Sequence, residues 1–326
     1  MGDVAMTAPV LRQVKDKYPD LRIVMLTDKL YEPFFDGIDL TFFHADLHGA
    51  HKGIGGIRRL YRELRRQYRF DAVADLHDKL YSMLLDKFFT LGGIKVFKID
   101  KGRADKKTLT KLRNKVKKQL RPMVLRYADV FARAGYPVEP DLALIRAERP
   151  APAMAGEKNG PWIGLAPFAK HAGKILPMPT VREIVGSLRE RFPAATVFIF
   201  GGGKDEKMVA EELQSEFPNS RSVVGLLGLR GELDLMANLD AMISMDSSAM
   251  HMSSIVGTPV VSVWGATHPY AGFLGFGQSE QNAVGTDIPC RPCSVYGNKP
   301  CYRGDYACLA EITAEQVAGK VASLLK

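Results

Sequence analysis

Short β-rich runs alternate with longer helix-period segments along this chain, and the alternation happens twice, on either side of a Pro/Gly-rich stretch. In the first half, strand-like runs fall at 21–26, 38–43, 70–76 and 94–99, with helical patterns at 4–17, 56–68, 79–90 and 109–134. In the second half, strand candidates lie at 162–166, 196–200, 222–224, 240–245 and 259–263, and helices fit 180–191, 205–216, 231–238, 248–256 and 314–325. Strands separated by helices cannot close into tight hairpins. They call for open parallel sheets covered by helices. Pro137-Val138-Glu139-Pro140, followed by Pro150, Pro152, Gly156, Gly160 and Pro161, reads as an interdomain linker. The expectation is an α/β chain with two Rossmann-like domains, 1–150 and 151–326, facing a cleft. A length of 326 residues suffices for two cores.

The start is unusual for such a domain. A doubly wound sheet normally opens on a buried strand whose C-terminal end delivers the first functional loop. Here Met1-Gly2-Asp3-Val4 leads straight into a helical pattern. The first strand of the N-terminal domain is therefore expected to be missing, through a mis-assigned start or a trimmed chain.

Apolar residues make up 46% and charged residues 25%, ordinary values for a soluble globular protein. No apolar run approaches the roughly 20 residues that span a bilayer, and no secretory leader is visible. The expectation is a cytoplasmic protein, with a peripheral seat on the cytoplasmic face of the inner membrane left open. The net charge of +9 is concentrated: 101–121 holds ten Lys/Arg against one acidic residue. Arg58, Arg59, Arg62, Arg65, Arg66 and Arg69 form a second cluster in the same half. Such a field attracts a polyanion, whether nucleic acid, anionic lipid or phosphorylated glycan. It is equally the solvated side of a helix, since Leu109, Leu112, Val116, Leu120 and Met123 recur at helical spacing. Nucleic acid is disfavoured, because no aromatic residue lies between Phe97 and Tyr127 to stack on bases.

All four cysteines, Cys290, Cys293, Cys301 and Cys308, fall within 19 residues. Cys290-x-x-Cys293 has zinc-ligand spacing, whereas the wider Cys301–Cys308 interval does not. Free, partly buried thiols are the expectation.

Several strand-to-helix turns carry chemistry. Met245-Asp246-Ser247-Ser248-Ala249-Met250-His251 ends a buried strand and opens a helix, where N–H groups and the helix dipole favour a phosphate. A merely well-capped helix would look the same. Gly201-Gly202-Gly203-Lys204-Asp205-Glu206 follows another strand but matches neither phosphate-loop nor dinucleotide fingerprints. It reads as a tight turn that brings Glu206 to the cleft. Lys174, in Lys170-His171-Ala172-Gly173-Lys174-Ile175-Leu176-Pro177, could neutralise a pyrophosphate or simply be a solvated loop lysine. Taken singly, Asp3 is an ordinary helix cap and His251 a helix-packing histidine. Asp75-Leu76-His77-Asp78 turns polar groups toward the same edge.

In this order the segments resemble glycosyltransferase family 9, the ADP-heptose:lipopolysaccharide heptosyltransferases. The resemblance runs over nearly the whole chain. It is strongest at 2–9, 70–77, Lys174-Ile175-Leu176-Pro177, Met245–His251 and Val263-Trp264-Gly265-Ala266-Thr267-His268-Pro269. It implies a GT-B fold and an inverting transfer of a sugar, heptose from ADP-heptose, to a lipopolysaccharide core acceptor. The first domain would bind the acceptor and the second the nucleotide sugar. Asp3 matches the family's catalytic base and Lys174 its diphosphate-facing lysine. Asp246, Ser247, Ser248, Ala249 and His251 match the turn that borders phosphates and sugar. Glu206 and Leu227, in the 225–227 stretch, fall where the family holds the nucleoside. A lysine and a helix start can stabilise departing ADP, so no metal or other cofactor is implied. The implied partners are an ADP-sugar donor, an anionic lipid-linked oligosaccharide and the inner-membrane surface, without nucleic acid. Two rivals stay open: a nucleotide-sugar epimerase of the same fold, and a non-enzymatic polyanion-binding protein.

Overall fold

The structure is a computed structural model that describes all 326 residues. The chain divides into two compact units, one comprising Asp3–Lys101 with Pro122–Asp141 and the other Gly102–Arg121 with Leu142–Lys326.

The first unit opens on a short helix α1 (Gly2–Ala5), then α2 (Ala8–Lys17). The single helix expected over 4–17 is broken at Met6-Thr7. Pro9 has no N–H to offer Ala5, and its ring would crowd that carbonyl, so a new helix begins with Pro9 in its first turn. Then follow β1 (Val24–Thr27), β2 (Thr41–His44), α3 (Gly53–Gln67), β3 (Ala72–Asp75), α4 (Leu80–Leu91) and β4 (Lys95–Lys98). β1 pairs in parallel only with β2, and β3 only with β4; no ladder joins β1 to β3. These four strands are only partly buried. Ile57, Leu60 and Leu64 of α3 recur at three- and four-residue steps and meet Leu85 and Phe89 of α4 in one apolar cluster.

After β4 come α5 (Arg103–Leu109), which belongs with the second unit, and α6 (Met123–Arg133), which returns to the first. The continuous helix expected over 109–134 does not form. Residues 111–121 are irregular, and Leu112 and Val116 are exposed rather than packed. Lys111/Lys115 and Arg113/Lys117 would be like-charge pairs one turn apart, Asn114 is left-handed (φ 52°), and Pro122 forces a fresh helix start.

The second unit is built on one six-stranded parallel sheet with strand order β10-β9-β8-β5-β6-β7. In chain order its elements are β5 (Trp162–Ala166), α7 (Met178–Arg191), β6 (Thr196–Ile199), α8 (Lys204–Glu216), β7 (Ser220–Ser222), α9 (Leu229–Asn238) and β8 (Ala241–Met245). There follow α10 (Ser248–Ile255), β9 (Val260–Val263), β10 (Ala283–Val284), α11 (Ala307–Ala310) and α12 (Ala314–Leu324). β5, β8 and β9 are buried along their whole length, as continuous apolar runs covered on both faces should be. Apart from one 3₁₀ turn at Ala153–Ala155, residues 142–158 form no helix or strand and lie as a strap on this unit. Arg146 donates to the carbonyls of Ala237 (2.9 Å) and Leu239 (2.7 Å), and Arg149 pairs with Asp234 at 2.8 Å.

Candidate functional site

The strand order places a switch point between β5 and β8. The chain adds β6 and β7 on one side of β5, then crosses back to lay β8 and β9 on the other. The loops leaving the C-terminal ends of β5 and β8 therefore diverge and leave a crevice, the usual ligand position in open parallel sheets. Lys174 comes from the loop after β5 and Asp246 from the turn after β8. Their side chains form an ion pair, Nζ to Oδ2 at 2.8 Å, with relative exposures of 15% and 6%.

Local sequence explains why the lysine is held there. Ala172–Lys174 is a one-turn 3₁₀ segment whose Gly173 carbonyl accepts the Ala266 N–H at 2.8 Å. A Cβ on Gly173 would lie 2.9 Å from the Gly297 carbonyl oxygen, so only glycine permits this approach. Gly297, at φ 72°, lies against the lysine stem: a Cβ there would meet Lys174 Cγ at 2.6 Å. The ammonium group is thus aimed by a wall made of the 266 and 297 loops.

Beside the pair, Ser247 is the N-cap of α10 in extended conformation, without a side-chain bond to the helix amides. Its hydroxyl instead lies 3.3 Å from that of Ser244. Ser248 and Ala249 follow in the first turn and are partly exposed, leaving a helix start whose N–H groups can receive an anion. His251, one turn further, is buried.

Glu206 sits in the first turn of α8, after β6, and accepts the Gly202 N–H at 2.6 Å. The Gly201-Gly202-Gly203 turn is therefore closed by the glutamate itself. Leu227 lies in the turn before α9 against Gly231. These positions all occupy the same C-terminal edge of the sheet as Lys174 and Asp246, each on its own loop. Residue patterns gave no hint of Glu232, half-buried in the first turn of α9, whose carboxyl is pushed up to about 7 by loss of water.

In the first unit, Asp3 is exposed in the first turn of α1, and its carbonyl accepts from the Tyr127 hydroxyl at 3.3 Å. The 75–78 turn is tied by Asp75, whose carboxylate accepts from the His77 N–H (2.8 Å), the Asp78 N–H (2.9 Å) and the Ser82 hydroxyl (3.1 Å). Asp78 takes a left-handed conformation, φ 45°. Tyr81, which no motif singled out, is hydrogen-bonded to His77 Nδ1. Burial lowers the His77 pKa, Lys101 adds to the effect and the Asp3 carboxylate opposes it. Burial, Asp75 and Asp3 together raise the Tyr81 phenol to about 12. Asp3, His77 and Tyr81 thus form one electrostatically linked group of the first unit.

The four cysteines are free thiols lining one small void with Tyr302 and Tyr306. Burial raises Cys293 and pushes Cys308 to about 11. No group of three or more His, Cys, Asp or Glu side chains is gathered as metal ligands. The segment instead anchors part of the basic stretch. Lys115 donates to the carbonyls of Cys290 and Pro292 and Lys117 pairs with Asp287 at 3.0 Å. Lys106 is buried over the Phe273 ring, 4.1 Å from its centroid. These three cations are structural in part, whereas Lys111, Arg113 and Lys118 are exposed.

The chain is 27% identical over 294 residues to the lipooligosaccharide heptosyltransferase 2 of Haemophilus influenzae, covering 82% of each chain. An Escherichia coli ADP-heptose lipopolysaccharide heptosyltransferase II superposes with a TM-score of 0.71 at 18% identity, over 99% of this chain and 95% of that one. A family 9 glycosyltransferase from Veillonella parvula gives 0.74 at 18% identity, over 99% and 94%. An E. coli heptosyltransferase solved with ADP gives 0.66 at 17% identity, over 99% and 96%. These likenesses show the GT-B fold of paired Rossmann-like units. The sequence pattern of glycosyltransferase family 9 (heptosyltransferase) matches residues 57–301, and on that match the chain belongs to this family and is a glycosyltransferase.

Proposed function

We propose that the protein transfers heptose from ADP-heptose, with inversion, to a hydroxyl of a phosphorylated lipopolysaccharide-core acceptor. The observation that carries this reading is the Lys174–Asp246 pair at the β5/β8 switch point, beside the uncapped start of α10. A cation and a set of unpaired helix amides at one crevice suit a diphosphate.

In the proposed step the acceptor oxygen attacks the anomeric carbon, and the bond from that carbon to the β-phosphate oxygen breaks. The electron pair leaves with ADP, and the acceptor proton goes to the Asp3 carboxylate. Charge grows on the departing β-phosphate, where Lys174 and the N–H groups of Ser248 and Ala249 stabilise it. Asp246 holds the Lys174 ammonium in position before the donor arrives. Ser247 and His251 border the sugar, and Glu206 and Leu227 flank the nucleoside. Domain roles follow: the first binds the acceptor, the second the nucleotide sugar. The enzyme would work at the cytoplasmic face of the inner membrane, where a lipid-linked acceptor is found.

The test is product formation from ADP-heptose with and without an acyl-free core acceptor. Acceptor-dependent release of ADP and an inverted glycosidic linkage are expected. Conversion of the donor alone to an epimer would replace this reading with the epimerase one.

A further inference from the structure

The helix α4 breaks the usual amphipathic rule. Its inner side supplies Leu85 and Phe89 to the core, yet its outward side is also apolar: Leu80 is 86% exposed, Met83 40% and Leu91 85%. These positions recur at helical spacing around the exposed Lys87, so they form one stripe. A helix apolar on both sides needs a partner for its second face. Next to it, α3 is amphipathic in the opposite sense. Its inner face packs through Ile57, Leu60 and Leu64, and its outer face is arginine-rich.

Between the two helices runs a groove of about 530 Å³. Tyr61 and Phe88, stacked with centroids 5.8 Å apart, make its floor, Ile54 and Leu91 its apolar ends, and Arg58 and Arg62 its charged rim. Ile54 is 72% exposed. The acidic residues of these helices are engaged: Glu63 pairs with His51 at 3.0 Å, and Asp86 is buried against Lys98 at 3.0 Å. The surface is therefore apolar and positive, with no exposed unpaired carboxylate on either helix. That combination fits an anionic lipid surface, whose phosphates lie directly above methylene chains. No helix is long and apolar enough to cross a membrane, so the contact would be peripheral.

We propose that the outward face of α3 and α4 docks on an anionic phospholipid bilayer. Ile54, Leu80, Met83 and Leu91 enter the headgroup–acyl boundary, Arg58 and Arg62 bind lipid phosphates, and the groove between them accepts an acyl chain. The proposal rests on the reading that the acceptor is carried by a membrane, and it names the surface that brings the enzyme there.

The experiment is flotation of the full chain with phosphatidylethanolamine vesicles containing phosphatidylglycerol, against phosphatidylcholine vesicles. Flotation with the anionic vesicles alone is expected. Two exposed apolar side chains are at stake in the Ile54→Ser/Leu91→Ser double variant, which should partition at least about tenfold more weakly. Arg58→Ser/Arg62→Ser should lose about 25-fold, each basic residue at an anionic surface being worth roughly fivefold. The apolar variant should transfer sugar to an acyl-free acceptor as the unchanged chain does, which also shows that it folds. The proposal is overturned if the apolar variant floats like the unchanged chain, or if no anionic vesicle recruits the protein. It is equally overturned if Leu91 supports self-association in sedimentation while vesicles fail to compete, since a second copy would then cover the face. Flotation with no transfer to any acceptor would sink the transferase reading alone and leave the docking surface standing.

Discussion

Lys174 and Asp246 meet at 2.8 Å in the crevice beyond the C-terminal ends of β5 and β8, each delivered by a different loop and both largely withdrawn from water. A pair in this position holds a cation ready for an anionic ligand without leaving it uncompensated beforehand. Removing one partner leaves the other charge buried, which costs about 3–5 kcal/mol in comparable sites. Lys174→Ala should therefore lower thermal stability and weaken ADP binding and turnover together, because a diphosphate is anionic both before and during departure. Asp246→Asn leaves the Lys174 ammonium without its counter-charge and should also lower stability, but it keeps the cation and should still bind ADP. Calorimetric titration with ADP and steady-state kinetics on both variants check this; unchanged ADP affinity in Lys174→Ala would contradict it.

Asp3→Asn should behave differently. The change preserves size but removes the base, so turnover should fall by about 10²–10⁴-fold with ADP affinity intact. Full activity in this variant would place the base elsewhere in the molecule.

Glu232 gives a pH signature. Its carboxyl titrates near 7 when folded, against 4.5 for the free side chain, because burial disfavours the charged form. Between those values the folded chain holds the extra proton, so stability falls as pH rises through the window and levels off above it. Glu232→Gln should match the unchanged chain below pH 4.5 and be more stable at pH 8, by an amount on the order of 1–3 kcal/mol. Parallel unfolding curves across that pH range are the measurement. A constant difference at all pH values would show that the carboxyl is not perturbed.

Lys115 should matter for stability, while its basic neighbours should not. It donates to carbonyls of the 290–292 turn, whereas Lys111 and Lys118 point to water. Lys115→Ala should cost about 1–3 kcal/mol through unsatisfied carbonyls. Lys111→Ala and Lys118→Ala should stay within about 0.5 kcal/mol. Denaturant titrations would decide; equal effects at the three sites would refute the distinction.

Hydrogen exchange should divide the two units. β5 and β8 are buried and each is bonded on both sides, while β1 and β3 have one partner each and half-exposed side chains. Amides of β1 and β3 should exchange by local opening well before those of β5 and β8. Uniform protection would mean that the first unit is stabilised as the second is.

The sequence by itself settled what depends on short-range pattern. The apolar runs at 162–166 and 259–263 are strand candidates and form β5 and β9, and the Asp246-Ser247-Ser248 step lies at the turn from β8 into α10. Family resemblance fixed the fold and the chemistry to expect, since those motifs keep their order along the chain. Periodicity failed at 109–134, because spacing records a potential apolar face and not whether repulsion between lysines or a proline lets the helix form. It also missed the break between α1 and α2, which Pro9 imposes. Tertiary structure alone decided that Lys174 reaches Asp246 and that Gly173 and Gly297 make room for it. It alone showed Leu80, Met83 and Leu91 facing outward on a helix rich in apolar residues. The reason is physical: local propensities act over a few residues, whereas these relationships join segments far apart in the chain, and only the packed sheet and its covering helices set their distances.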